Sequence, residues 1–260
     1  MEPNMTEVNV TAIPAFADNY IWLLSTGGTE CAVVDPGDAA PVRQVLRQDG
    51  LDLAYVLLTH HHADHIGGAA ALAEATGAEV YGPHDPRIPN RHHAVREGET
   101  VALPRLGLRF EVLEVPGHTT SHIAYLGHGC LFCGDTLFSV GCGRLFEGTP
   151  AQMLASLDKL AALPPATRVY CGHEYTLANC AFALEVEPGN ADLLRRTRAA
   201  EAARAAGRAT VPSLLSEELA VNPFLRSRQP AVVAAARRRD PAAEPGVSTL
   251  AAIRAWKDTF

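Results

Sequence analysis

Short apolar runs punctuate the first two thirds of the chain. Val8 to Ile13, Tyr20 to Leu24, Cys31 to Val34, Ala54 to Leu58, Glu79 to Tyr81, Leu108 to Val115, Ile123 to Leu126, Cys130 to Cys133 and Val169 to Cys171 are too short for helices and rich in β-branched or aromatic residues, so they read as strands. Pro41 to Gln48, Ile66 to Thr76 and Ala151 to Leu163 carry helix formers instead. From Tyr175 on, the composition turns to Ala, Leu, Glu and Arg, punctuated by Pro188, Pro212, Pro223, Pro230 and Pro241, which predicts several helices and no strands. The pattern predicts an α+β protein in two domains. Residues 1–174 form an αββα sandwich of two mixed sheets with outer helices, and residues 175–260 form an α-helical domain. The segment Pro83 to Glu97 is polar and irregular, and its His84, His92 and His93 are expected to face solvent.

The buried strand Ala54 to Leu58 runs directly into Thr59-His60-His61-His62-Ala63-Asp64-His65. On extended backbone His60 and His62 point the same way, while Asp64 and His65 lie where the next helix begins and can face a second centre. His61, between two candidate ligands, points away from them. The spacing suits two metals better than one.

Three later segments supply further donors, each after an apolar run and each with a Gly before the His or Asp: Pro116-Gly117-His118-Thr119, Cys133-Gly134-Asp135-Thr136 and Cys171-Gly172-His173-Glu174. The glycine lets the backbone turn tightly enough to bring the side chain to an ion.

These residues together resemble the metallo-β-lactamase superfamily and, within it, the glyoxalase II (hydroxyacylglutathione hydrolase) family. Gly134-Asp135-Thr136-Leu137-Phe138, Gly172-His173-Glu174-Tyr175-Thr176 and Ile13-Pro14-Ala15-Phe16-x-Asp18-Asn19-Tyr20 carry the likeness. So do Val33-Val34-Asp35-Pro36-Gly37, Gly141-Cys142-Gly143-Arg144-Leu145-Phe146-Glu147-Gly148-Thr149, Glu187-Pro188-Gly189-Asn190, Val211-Pro212-Ser213, Asn222-Pro223-Phe224-Leu225-Arg226 and Arg254-x-x-Lys257-Asp258. The resemblance implies a metallo-β-lactamase-type sandwich whose helical C-terminal part caps the metal edge. It implies two divalent metal ions per chain, zinc first, with iron or manganese as alternatives. His60, His62 and His118 would hold one ion, Asp64, His65 and His173 the other, and Asp135 would bridge them. Asp64 and Asp135 are the implied catalytic carboxylates, acting with a hydroxide between the metals. The implied reaction opens the thioester of S-(2-hydroxyacyl)glutathione, typically S-D-lactoylglutathione, to glutathione and D-lactate, a step of methylglyoxal detoxification.

Glutathione brings two carboxylates and an ammonium, so its pocket should present cations. The resemblance offers Arg144, Arg254 and Lys257, with Tyr175 as a hydroxyl donor beside His173. Phe146 departs from the family, which often has Tyr there, and leaves the pocket one hydrogen bond poorer.

Composition agrees with a small-molecule enzyme. At 260 residues and 47 % hydrophobic the chain can bury a substantial core. Its net charge of -7 argues against nucleic-acid or anionic-membrane partners, and a monomer is expected. Arg237-Arg238-Arg239 reads as a solvated helix end. The start, Met1-Glu2-Pro3-Asn4-Met5, shows no basic n-region or apolar h-region, and the cytoplasm is the expected location. Six cysteines lie mostly in apolar or Gly-rich strand segments, as buried reduced thiols do; no second pair follows Cys130-x-x-Cys133 to complete a zinc site.

Two other readings share parts of the pattern. A persulfide dioxygenase of the same superfamily, with one iron and fewer ligands, shares the first motif, Pro-Gly-His-Thr and Gly-Cys-Gly-Arg. Against it stand the sequence after Arg144, the Glu-Tyr-Thr that includes Tyr175, and the long helical tail. A non-catalytic metal-binding or RNA-processing module should show a basic face, yet acidic residues outnumber basic ones, 29 to 22.

Overall fold

The structure, a computed structural model, describes residues 7–260; Met1 to Met5, read above for a leader, lie outside the described residues. Two compact units emerge, one of the chain up to Glu114 with Ser121–Gly134, the other of Val115–Thr120 with Asp135–Phe260.

The first unit contains strands β1 (Asn9–Ala15), β2 (Asn19–Ser25), β3 (Glu30–Val34), β4 (Asp52–Leu57), β5 (Glu79–Pro83), β6 (His93–Val95), β7 (Thr100–Leu103), β8 (Leu108–Glu114), β9 (Ile123–Gly127) and β10 (Cys130–Gly134). Its helices are α1 (Ala39–Asp49), α2 (Ala63–Ile66) and α3 (Ala69–Thr76). Strands β1 to β6 form one mixed sheet in chain order, antiparallel from β1 to β3 and parallel from β3 to β6. Strands β7 to β10 pair antiparallel in a second sheet.

The central strands of the first sheet read as unbroken apolar runs because both faces are covered. Ile21, Leu23, Val33, Val56 and Leu58 pack on Val42, Leu46 and Leu72 of α1 and α3. The alternate residues Trp22, Leu24, Ala32, Val34 and Leu57 are equally buried. The Tyr125 hydroxyl of β9 donates to the Leu58 carbonyl at 2.9 Å and ties the second sheet to the first. Because β3, β4 and β5 run parallel, their carboxyl ends meet at one edge, where ligands of open α/β sheets gather. Asp35, the stretch from Thr59 to His65, and Asp85 all follow those ends.

The second unit contains the short hairpin β11 (Leu137–Phe138) and β12 (Gly141–Cys142), then α4 (Pro150–Ala161), β13 (Arg168–Cys171), α5 (Thr176–Val186), α6 (Ala191–Ala205), β14 (Ser213–Leu214), α7 (Leu215–Val221), α8 (Pro230–Arg237) and α9 (Val247–Asp258). Val140, Cys180, Ala183, Leu193 and Val221 form one core cluster, and the Phe182, Phe224 and Trp256 rings another contact.

Three expectations need correction. The C-terminal part has a strand, β14, antiparallel to β13; two residues after a proline are too few to show alternation. The loop 83–97 contains β6, parallel to β5, with Val95 its one buried residue, although His84, His92 and His93 are exposed as expected. The helix expected over 66–76 is two helices, and Asp64 and His65 sit inside the first of them. The break comes where Gly68 N–H donates to Pro36 O at 2.8 Å. A Cβ on Gly68 would overlap the backbone at Pro36 and Asp38, so only glycine fits that approach. Arg238 and Arg239 stand over the Trp256 ring at 5.7 and 4.4 Å, so the basic run packs on an aromatic face as well as meeting solvent.

All six cysteines are buried thiols outside any disulfide, and burial pushes the Cys31 and Cys171 thiols up to about 12. Helix α4 begins with a capping box between Thr149 and Gln152 and Pro150 in its first turn. Thr149→Ala should lower stability by about 1 kcal/mol; urea unfolding should show an earlier midpoint with an unchanged slope.

Candidate metal centre

In the first unit the loop from Thr59 to His65 is held by the carboxylate of Asp35. Asp35, at φ 52 just beyond β3, accepts from Thr59 N–H at 2.8 Å and from the Thr59 hydroxyl at 2.7 Å. Its Oδ2 also lies 3.0 Å from His65 Nδ1. A carboxylate only accepts, so His65 carries its proton on Nδ1 and turns the lone pair of Nε2 toward Asp64 Oδ2, 3.5 Å away. Asn19, delivered by the β1–β2 turn, donates to that same Asp64 oxygen at 3.0 Å.

Thr59 spends its hydroxyl proton on Asp35, so its oxygen accepts from His60 Nδ1 at 3.0 Å. His60 Nε2 is thereby a lone-pair donor, 3.1 Å from His62 Nδ1. His122 stacks on the His60 ring at 4.6 Å and 17°. Donor atoms of Asp35, His60 and His65 lie within 4.8 Å of one another, all three residues buried. His61 reaches instead toward Asp85, 3.5 Å away, a carboxylate that Arg87 holds well below the usual range.

In the second unit His118, Asp135 and His173 come together, each nearly buried. His118 Nδ1–H donates to Arg144 O at 2.8 Å, which leaves its Nε2 lone pair 3.5 Å from Asp135 Oδ2. His173 Nε2 lies 3.3 Å from the same oxygen and its ring stacks on Tyr175 at 4.6 Å. The lone pair of His118 Nε2 aimed at a carboxylate oxygen repels it, and a divalent cation bound to both removes that repulsion. Imidazole and carboxylate donors, oriented by fixed acceptors behind them, fit such ions.

The predicted substrate residues of this unit also gather. Arg144 Nε and Arg254 Nη2 share one oxygen of Asp258, at 3.1 and 3.0 Å, and Arg254 Nη1 donates to Cys142 O at 2.9 Å. Arg254 is buried, which helical spacing alone did not indicate. Lys257 donates to Asn179 Oδ1, and burial, followed by the charge of Arg254, lowers its ammonium to about 8. Phe146 is exposed, edge-on to His118 at 5.3 Å.

A model described as "Metallo-beta-lactamase superfamily" matches residues 16–173, and one described as "Hydroxyacylglutathione hydrolase C-terminus" matches residues 174–260. A protein of Alkalilimnicola ehrlichii named hydroxyacylglutathione hydrolase is 56 % identical over 256 residues, 98 % of this chain and 99 % of its own. One of the same name from Xanthomonas campestris pv. campestris is 53 % identical over 255 residues, 97 % of this chain and 99 % of its own. This chain belongs to the hydroxyacylglutathione hydrolase family.

Among solved structures, ETHE1 from Myxococcus xanthus superposes with a TM-score of 0.65 at 27 % identity, over 97 % of this chain and 98 % of that one. TTHA1623, in a di-iron-bound form, superposes with a TM-score of 0.53 at 31 % identity, over 64 % of this chain and 91 % of that one. The expected metallo-β-lactamase fold, with its helical C-terminal region, is what these likenesses show. The family assignment favours the hydrolase over the dioxygenase and RNA-processing readings.

For this member of the hydrolase family, Asp35, Thr59, Asn19 and His122 are the residues whose roles the sequence reading missed. A signal existed for Asp35: a carboxylate directly after four buried apolar residues at the carboxyl end of a strand. Asp35→Asn should weaken metal binding by roughly 10- to 100-fold, read as bound metal after dialysis against graded chelator while the far-UV spectrum stays native.

Proposed function

We propose that the chain hydrolyses the thioester of S-(2-hydroxyacyl)glutathione, S-D-lactoylglutathione foremost, to glutathione and D-lactate. The observation that carries this reading is Asp135 Oδ2 set against the Nε2 atoms of both His118 and His173, in a chain whose whole length resembles hydroxyacylglutathione hydrolases. In this reading His60, His62 and His118 would hold one divalent ion, Asp64, His65 and His173 would hold the other, and Asp135 would serve both. Zinc is the proposed metal, with iron and manganese as alternatives, since nitrogen and oxygen donors suit all three. When bound, such ions lower the pKa of water from about 15.7 toward neutrality and polarise a carbonyl.

The chain's own residues do the rest. Asp64, its carboxylate steadied by Asn19, orients the attacking water toward the thioester carbonyl. The departing glutathione thiolate has a conjugate acid near the ordinary thiol value of about 8.5, so it leaves without a strong general acid. Arg144, Arg254 and Lys257 supply the positive charge for the substrate's carboxylates: Arg144 through paired hydrogen bonds, Lys257 as a point charge, and the buried Arg254, committed to Cys142 O and Asp258, through its charge. Tyr175 offers a hydroxyl beside His173, and Phe146 an apolar edge. We place the activity in the cytoplasm, in a monomer without nucleic-acid or membrane partners. Six buried thiols outside any disulfide suit a reducing compartment, and among the described residues no helix is long and apolar enough to cross a membrane.

Asp135→Ala should abolish turnover and lower the bound metal together; a variant with normal activity would refute the bridging role. Arg254→Ala and Lys257→Ala should each raise KM more than they lower kcat. Because Lys257 is charged only below about pH 8, KM in the unsubstituted enzyme should climb as pH rises through that value. In Lys257→Ala the climb should flatten; equal pH profiles for the two proteins would remove Lys257 from the pocket.

A further inference from the structure

The hairpin of β11 and β12, together with Gly143 and Arg144 directly after it, lies against His118, Asp135 and His173 while supplying none of these donors. The Phe138 ring is edge-on to His173 at 5.9 Å and to Tyr175 at 5.2 Å. Just beyond the hairpin, a Cβ on Gly143 would overlap the Asp135 carbonyl oxygen and crowd His118 Nδ1, so the backbone there lies directly against both ligands. The next residue gives the carbonyl that fixes the His118 tautomer. At the hairpin's tip Val140 has φ 58, a conformation that a β-branched residue keeps only when its surroundings hold it.

Beyond the two residue pairs of the hairpin itself, a set of buried side chains holds it. Glu218 of α7, fully buried, accepts Val140 N–H on Oε2 at 2.7 Å. Asn222, also fully buried, directs its amide at Phe138 O (3.1 Å), Gly141 O (2.9 Å) and Glu218 Oε2 (3.1 Å), two hydrogens shared among three acceptors. Asn179 donates to Ser139 O at 2.8 Å. Burial pushes the Glu218 carboxyl upward, opposed first by the hydrogen bond from Val140 N–H. A buried carboxylate served by two amides is costly to keep, and the reaction proposed above gives it no chemical task.

We propose that Glu218 and Asn222 are positioning residues for the metal centre: their hydrogen bonds to the backbone of 138–141 fix the hairpin, and through it the mutual placement of His118, Asp135 and His173. The inference rests on the assignment of those three as ligands. Hydrogen bonds made directly to metal ligands are typically worth 10- to 100-fold in affinity, and bonds that hold the segment behind the ligands should reach about the lower end of that range.

The test is zinc affinity of the full chain by chelator competition, beside the melting temperature of the metal-free protein. Asn222→Ala and Glu218→Ala should each bind zinc at least tenfold more weakly while the metal-free chains still melt cooperatively. Glu218→Gln should stay within about threefold of the unsubstituted protein, because its amide oxygen can take the place of Oε2 and its NH2 the place of Oε1. A purely structural clamp would lower the melting temperatures and leave zinc affinity alone, and that result overturns the proposal. So does a Glu218→Gln variant that loses as much as Glu218→Ala. Should Asn222→Ala not fold, the Glu218 pair decides by the same titration. Asp135→Ala measured alongside separates the two possible failures. Unchanged affinity there defeats the ligand assignment, whereas loss there with unchanged Asn222→Ala and Glu218→Ala defeats the clamp alone.

Discussion

An imidazole that binds a cation through one nitrogen must have the proton on its other nitrogen accepted by a group that does not move. That requirement governs much of this structure. Asp35 takes the proton of His65, the Thr59 oxygen that of His60, and the Arg144 carbonyl that of His118. Each acceptor is fixed by an element built for another purpose. Asp35 caps a buried parallel strand, Thr59 follows the next one, and Arg144 leaves a hairpin clamped by α7. In each unit these imidazoles thus take their rigidity from the element behind them, the sheet edge in the first and the hairpin with its helices in the second.

Charge is arranged with the same economy. Arg144 and Arg254 converge on one oxygen of Asp258, so a pair of guanidiniums that would repel is kept together in the absence of any other anion. Lys257 stands near them at a lowered pKa, a cost of burial that a bound carboxylate would reverse. The exposed Phe146 adds surface without polarity on the same loop as Arg144.

Much of this was legible from residue order because two signals are strong. Strands covered on both faces appear as unbroken apolar runs, and ligand residues cluster where such runs end beside glycine. Less was legible where the signal is short or ambiguous. Strands β6 and β14 are three and two residues long, and no alternation can show at that length. Arg254 looks like one charge on an ordinary amphipathic helix until its partners on the hairpin are known. Glu218 reads as the second of two adjacent surface glutamates, yet it stands three residues from both Leu215 and Val221, on the buried stripe of α7. Asp35 was visible as the end of a strand, but its bond to His65 spans thirty residues and no local pattern encodes it.

The cysteine sulfurs of this chain have a consequence of their own. Each is enclosed, and those of Cys31, Cys142, Cys171 and Cys180 are kept protonated by their surroundings. Thiols in that state are poor nucleophiles. Electrophiles in solution therefore find little reactive sulfur among the cysteines of this chain, and no disulfide fastens the described residues.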